Sequence, residues 1–127
     1  MGRPVHFEIH ASDPERAVAF YSTVFGWQAN RWGEVPYWLL GTGEGQPGID
    51  GALVVREGRA PGPDDPVNGA TLFVSVDDVD ATSAAVLASG GQQVTDKAAV
   101  PGIGWIAYYR DSEGNLVGAL QEDPQAA

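Results

Sequence analysis

The sequence predicts an α+β fold made from one βαβββ unit used twice. Three observations carry this. Short runs alternate strictly between apolar and polar residues, and two longer runs carry helix start and stop residues. The glycines that end those two runs, Gly26 and Gly90, lie 64 residues apart, half of the 127-residue chain. Either half alone would leave one face of a short sheet uncovered, so the two are expected to pair within one domain, residues 1–127. No G-x-G-x-x-G is present and each helix is accompanied by too many strands for a Rossmann fold.

Val5–His10 alternates as a half-buried strand does. Ser12-Asp13-Pro14-Glu15 opens a helix, with Ser12 as the expected cap, Pro14 in the first turn and Glu15 placed as in a capping box. Ala17, Val18, Phe20, Tyr21, Val24 and Phe25 form its apolar stripe, and Gly26 ends it. Strand-like runs follow at Trp27–Trp32, Tyr37–Gly41 and Gly51–Arg56 and complete a first module of about residues 4–56. Residues 57–68, with three Pro and two Gly, read as a linker. The pattern restarts in a second module of about residues 69–122. Its elements are a strand at Ala70–Val76, a helix opened by Asp77-Asp78 and ended by Gly90-Gly91, and strands at Gln93–Thr95, Trp105–Arg110 and Leu116–Gln121. Asp13, Asp77 and Asp78 are read as helix-opening residues, and Arg110 beside Asp111 as a hairpin pair.

Composition bounds the function. Seven basic residues face 17 acidic ones, a formal charge of −10 that repels phosphate backbones and argues against nucleic acid. The same field would steer a cationic ligand inward. The longest apolar runs are too short to span a bilayer, so no membrane is expected. Met1-Gly2-Arg3-Pro4 leads straight into a strand with no signal region, which points to the cytoplasm. With no cysteine, the chain offers neither a thiolate ligand nor a Cys nucleophile.

His6-Phe7-Glu8-Ile9, Asp13-Pro14-Glu15-Arg16-Ala17, Phe20-Tyr21 and Phe25-Gly26-Trp27 together resemble the first strand and helix of the vicinal-oxygen-chelate superfamily. That superfamily includes glyoxalase I, the bleomycin-resistance proteins and the extradiol dioxygenases. Tyr109–Asn115 is similar to the hairpin before its last strand, with Ser112 where the family prefers Pro, and Val74–Asp78 extends the match. The resemblance implies a cup-shaped mixed sheet from two βαβββ modules, with the helices outside and a small molecule in the cup. It also implies a homodimer. Metal-dependent members hold a divalent ion on four inward side chains from the first and last strand of each module, and use it as a Lewis acid. Of those four positions His6 alone is filled here. The others fall on Ala70 or Thr71, on Gly118, and in Gly51–Val55, which contains no carboxylate and is preceded by Asp50. A divalent site needs about three protein donors, so no metal or other cofactor is expected.

In a strand, His6, Glu8 and His10 share one face. Their origins step by roughly 6.5 Å, so two could meet on one ion and three would strain. The ladder is read as the polar lining of a binding cleft, with His6 and His10 as alternative general bases oriented by Glu8. Trp38, Trp105 and Tyr109 are expected to line the cup as stacking surfaces for a planar or cationic ligand. Trp27 is expected between helix and sheet. The function that follows is metal-independent sequestration of a small aromatic or cationic molecule, as in antibiotic self-resistance. The alternative is a metal-dependent glyoxalase-like lyase, isomerase or dioxygenase.

Overall fold

The computed structural model of the protein describes residues 2–127. The chain forms two compact units, His6–Ala70 and Thr71–Ala127 with the N-terminal residues through Val5. Each carries a βαβββ core, and the second unit adds one short strand to it.

In the first unit, β1 (Pro4–Ala11) leads into α1 (Pro14–Phe25) and then β2 (Gln28–Arg31), β3 (Tyr37–Gly41) and β4 (Gly51–Val55). The strand order is β2-β3-β4-β1, with β1 and β4 parallel and the rest antiparallel. Asp13, not Ser12, caps α1: its carboxylate accepts from Arg16 N at 3.1 Å, and Pro14 takes the first helical position, where a missing N–H costs nothing. Gly26 ends the helix at φ 74°, where a Cβ would be strained. The register aligns Ile9, Leu53 and Trp38 on one face of the sheet. There Ala11, Leu40 and Leu53 form a core closed by Phe7, Ile9, Ala17, Val18 and Trp27. Trp27 stacks on Tyr21 at 4.9 Å between helix and sheet, as expected. The stripe read on α1 splits in two, because Ala17 and Val18 pack inward while Phe20, Val24 and Phe25 are more than half exposed.

In the second unit, β5 (Thr71–Ser75), α2 (Val79–Ala88), β6 (Gln92–Gln93), β7 (Ala98–Val100), β8 (Gly104–Arg110) and β9 (Leu116–Glu122) follow. The order is β5-β9-β8-β6, and β7 also pairs with β8. Asp78 caps α2 by accepting from Asp80 N and Ala81 N. The core beneath α2 is Val79, Ala107, Tyr109 and Ala119, with Val86, Trp105 and Val117 against it. The tight turn Asp111–Gly114 joins β8 to β9, and Arg110 closes it on Gly114 O at 3.1 Å. The carboxylate of Asp111 accepts the N–H groups of Asn115 and Glu113, which lowers its pKa. β7 carries no strand signal in the sequence, since Ala98-Ala99-Val100 is too short and too plain to alternate.

Candidate functional site

Opposite α1, the sheet of the first unit presents His6, Glu8 and His10 from β1, Ala52 and Val54 from β4, and Leu39 and Tyr37 from β3. The ladder therefore lies on the face away from the helix, as its alternation implied. Glu8 is 6% exposed, an unusually buried carboxylate for a face that carries no helix of its own unit. Tyr37 ties the ladder together. Its hydroxyl lies 3.0 Å from Nε2 of His6 and hydrogen-bonds the carboxylate of Glu8. One hydroxyl hydrogen cannot serve both neighbours. With Glu8 ionised, Tyr37 donates to it and accepts from the Nε2–H of His6, which selects that tautomer. Burial and the adjacent negative charge push the Tyr37 pKa far up, so this hydroxyl keeps its proton.

The histidines go the other way. Burial lowers the pKa of His6, partly offset by Asp50 at the mouth of β4. Burial and then the Arg56 guanidinium lower that of His10, against a smaller opposing pull from Glu57. Both imidazoles are neutral near pH 7, able to donate and accept but not to act as fixed cations. Trp32, the residue after β2, meets Tyr37 edge-on at 5.8 Å and is 44% exposed. It gives this face an aromatic rim.

The three aromatics named from the sequence lie on the helix-bearing faces, and that expectation is corrected. Trp38 packs with the core under α1 and is covered by Arg31 at 5.0 Å. Tyr109 is 1% exposed beneath α2, its hydroxyl 2.8 Å from Ser83 Oγ. Trp105 joins that core, donates Nε1–H to Asp123 at 3.0 Å and lies under Lys97. For Trp105 and Tyr109 the cause is α2 itself. Its core-side residues are small, so the sheet must supply the volume. On the opposite face of the second unit stand Phe73 and Tyr108, in T-shaped contact at 5.3 Å.

The donor set for a family metal can be tested on the register. Asp13 and Asp78 both cap their helices, so Thr71, not Ala70, is the counterpart of His6. β4 places Ala52 beside Glu8, and β9 places Gly118 beside Phe73. A Cβ on Gly118 would sit 2.5 Å from the Phe73 ring, so the space a carboxylate would need there is filled by an aromatic side chain. Among the described residues no three His, Asp or Glu side chains converge. The residues present do not fit the four-ligand ion of the metal-dependent members.

A family model described as a glyoxalase-like domain matches residues 6–119. The chain belongs to the glyoxalase-like domain family. It is 36% identical over 112 residues to a glyoxylase-like domain-containing protein of Didymella fabae, covering 85% of this chain and 84% of that one. It is 31% identical over 122 residues to the Mycobacterium tuberculosis protein named "Putative glyoxylase CFP32", covering 93% of this chain and 43% of that protein, so this glyoxalase-like chain spans less than half of that relative. A Streptomyces coelicolor methylmalonyl-CoA epimerase variant in complex with 2-nitronate-propionyl-CoA matches with a TM-score of 0.60 at 19% identity, over 98% of this chain and 97% of that one. The glyoxalase-like chain thus has the fold of that enzyme, and the two-module α+β architecture read from the sequence is the one it adopts. Among the described residues no helix is long and apolar enough to cross a membrane.

Proposed function

We propose that this glyoxalase-like protein binds a small molecule with a cationic, partly aromatic group, without a metal, on the face of β1, β3 and β4 that points away from α1. The observation that carries the reading is Glu8, a nearly buried carboxylate held by Tyr37 on a face rimmed by Trp32. A carboxylate withdrawn from water gains more from a cationic partner than one on an open surface, and an aromatic edge beside it adds cation–π attraction. The formal charge of −10 favours the same ligand sign. A donor set of His6 with Thr71, Ala52 and Gly118 supports binding without an ion, and with it sequestration over Lewis-acid turnover. A homodimer belongs to the same reading, since self-association would cover Phe20, Val24 and Phe25 on α1. Size-exclusion chromatography with light scattering tests it, and a concentrated sample that stays monomeric would reject it.

The direct test is titration of EDTA-dialysed protein with benzylammonium, followed by tryptophan fluorescence. Saturable quenching is expected. It should disappear in Trp32→Phe, and weaken about tenfold, or about 1.4 kcal/mol, in Glu8→Gln. Elemental mass spectrometry of protein dialysed against Mn, Fe, Ni and Zn supplies the contrary outcome. One ion retained per chain and lost in His6→Ala would overturn the metal-independent reading.

A further inference from the structure

The same face carries a charged group that the cation reading leaves unused. Arg56 follows β4 directly, and its N–H continues the ladder to Ala11 O at 2.8 Å. Alternation from Val54 turns its side chain to the side of His10 and Tyr37. Its Nη2 donates to the His10 carbonyl at 2.7 Å, which holds the guanidinium against β1. Its Nε is sealed from solvent and has no acceptor among the described residues.

Among the described residues Arg56 forms no ion pair. The two ion pairs among the described residues are Arg59–Asp65 and Lys97–Asp80. Glu57, its neighbour in sequence, acts on His10, and the ion pairs among the described residues do not include it. The chain has 17 acidic residues for seven basic ones, so an arginine half-withdrawn from water and outside both ion pairs is conspicuous. Desolvating a guanidinium without a partner is costly, and the cost is recovered when an anion arrives. With Nη2 anchored and Nε sealed, the end-on edge formed by the two Nη atoms remains to receive it, and that edge matches the planar fork of a carboxylate.

We propose that Arg56, with His10 beside it, is an anion-binding site that takes the carboxylate of a small ligand. Resting on the proposed function for its other half, this makes the ligand zwitterionic, with an ammonium group toward Glu8 and a carboxylate toward Arg56. The guanidinium is held on the carbonyl of His10, one two-residue step along β1 from Glu8, so the two charges are separated by roughly that step, about 6.5 Å. That spacing suits an amino acid whose amine and carboxylate are a few carbons apart, and rules out a simple hydrophobic amine as the full ligand.

The chain has two histidines, one at each end of this arrangement, so their imidazole NMR signals report the two halves separately. Acetate is expected to move the His10 signals and saturate in the millimolar range, while chloride at equal ionic strength does not. Arg56→Gln should abolish the response and Arg56→Lys should retain it more weakly, with thermal melts confirming that both variants fold. 4-Aminobutanoate should bind at least about tenfold more tightly than acetate and move the signals of both histidines. No acetate response at His10, or an equal response to chloride, overturns the anion site even where benzylammonium still binds. An acetate response with no benzylammonium binding leaves the anion site standing and overturns the zwitterion and the cation reading together.

Discussion

Aligned on their helix caps, Asp13 and Asp78, the two modules carry His6, Glu8 and His10 in one and Thr71, Phe73 and Ser75 in the other. The backbone plan is common to both: a first strand, a capped helix, and a last strand running parallel to the first. On the face away from the helix the first module holds a titratable ladder linked through Tyr37, and the register puts Ile106 where Tyr37 stands. The corresponding face of the second module is largely apolar. Beneath the helices the contrast runs through volume. The first core is built from Leu40 and Leu53, the second from Tyr109 laid over Ala107 and Ala119. One topology therefore places a side chain but does not choose its chemistry, and each module has spent the same register positions differently.

That contrast can be broken at the cores first. Leu53→Ala should cost about 2–5 kcal/mol and Tyr109→Ala about 3–5 kcal/mol of unfolding free energy, read from denaturant curves. Tyr109→Phe should lose only about 1 kcal/mol, the worth of its bond to Ser83. A Tyr109→Ala loss near that of Tyr109→Phe would mean the ring does not fill the core as argued.

The counterpart positions Ala52 and Gly118 sharpen it next. Gly118→Ala should destabilise by about 1–3 kcal/mol, because its methyl meets the Phe73 ring. Combining it with Phe73→Ala should recover part of that loss in a double-mutant cycle. Ala52→Gly should cost about 1 kcal/mol for backbone entropy alone. Additive losses for Gly118→Ala and Phe73→Ala would remove the aromatic plug from the explanation.

The smallest expected effect is with pH. The folded pKa values of His6 and His10 are lowered below the ordinary 6.5, so on acidification the unfolded chain takes up protons first. Their contribution to stability is complete above pH 6.5 and is lost as the pH falls through that value toward their folded pKa values. Melting temperatures between pH 7.5 and 5 should fall more steeply for the wild type than for a His6→Gln, His10→Gln variant. Equal slopes would show that the first module's ladder does not titrate as described.

Much of the fold was legible because it rests on local chemistry. The period of two in β1, the acidic helix openings and the glycine ending α1 are decided within a few residues of chain. The shared face of His6, Glu8 and His10 follows from the same period. Tyr37 was visible as an aromatic but not as the link between His6 and Glu8, since that role depends on which strand lies across β4. Arg56 was readable as the next alternating position after Val54, yet nothing local marks it as standing outside the ion pairs among the described residues. For Trp105 and Tyr109, the helix-side placement has a reason within the chain. Val79, Ser83 and Val86, the side of α2 that faces the sheet, are small, and Trp105 and Tyr109 fill the volume they leave.

The amino-acid order alone determined the first strand, the presence of both helices and which residues share a face, because steric period and capping act over one or two turns of backbone. Which of those faces meets a helix was decided by the tertiary structure. So were the meeting of His6, Glu8 and Tyr37 on one hydrogen-bonded chain and the space on Gly118 taken by Phe73. Those outcomes depend on pairing between residues tens of positions apart, and on how neighbouring side-chain volumes fill a shared space.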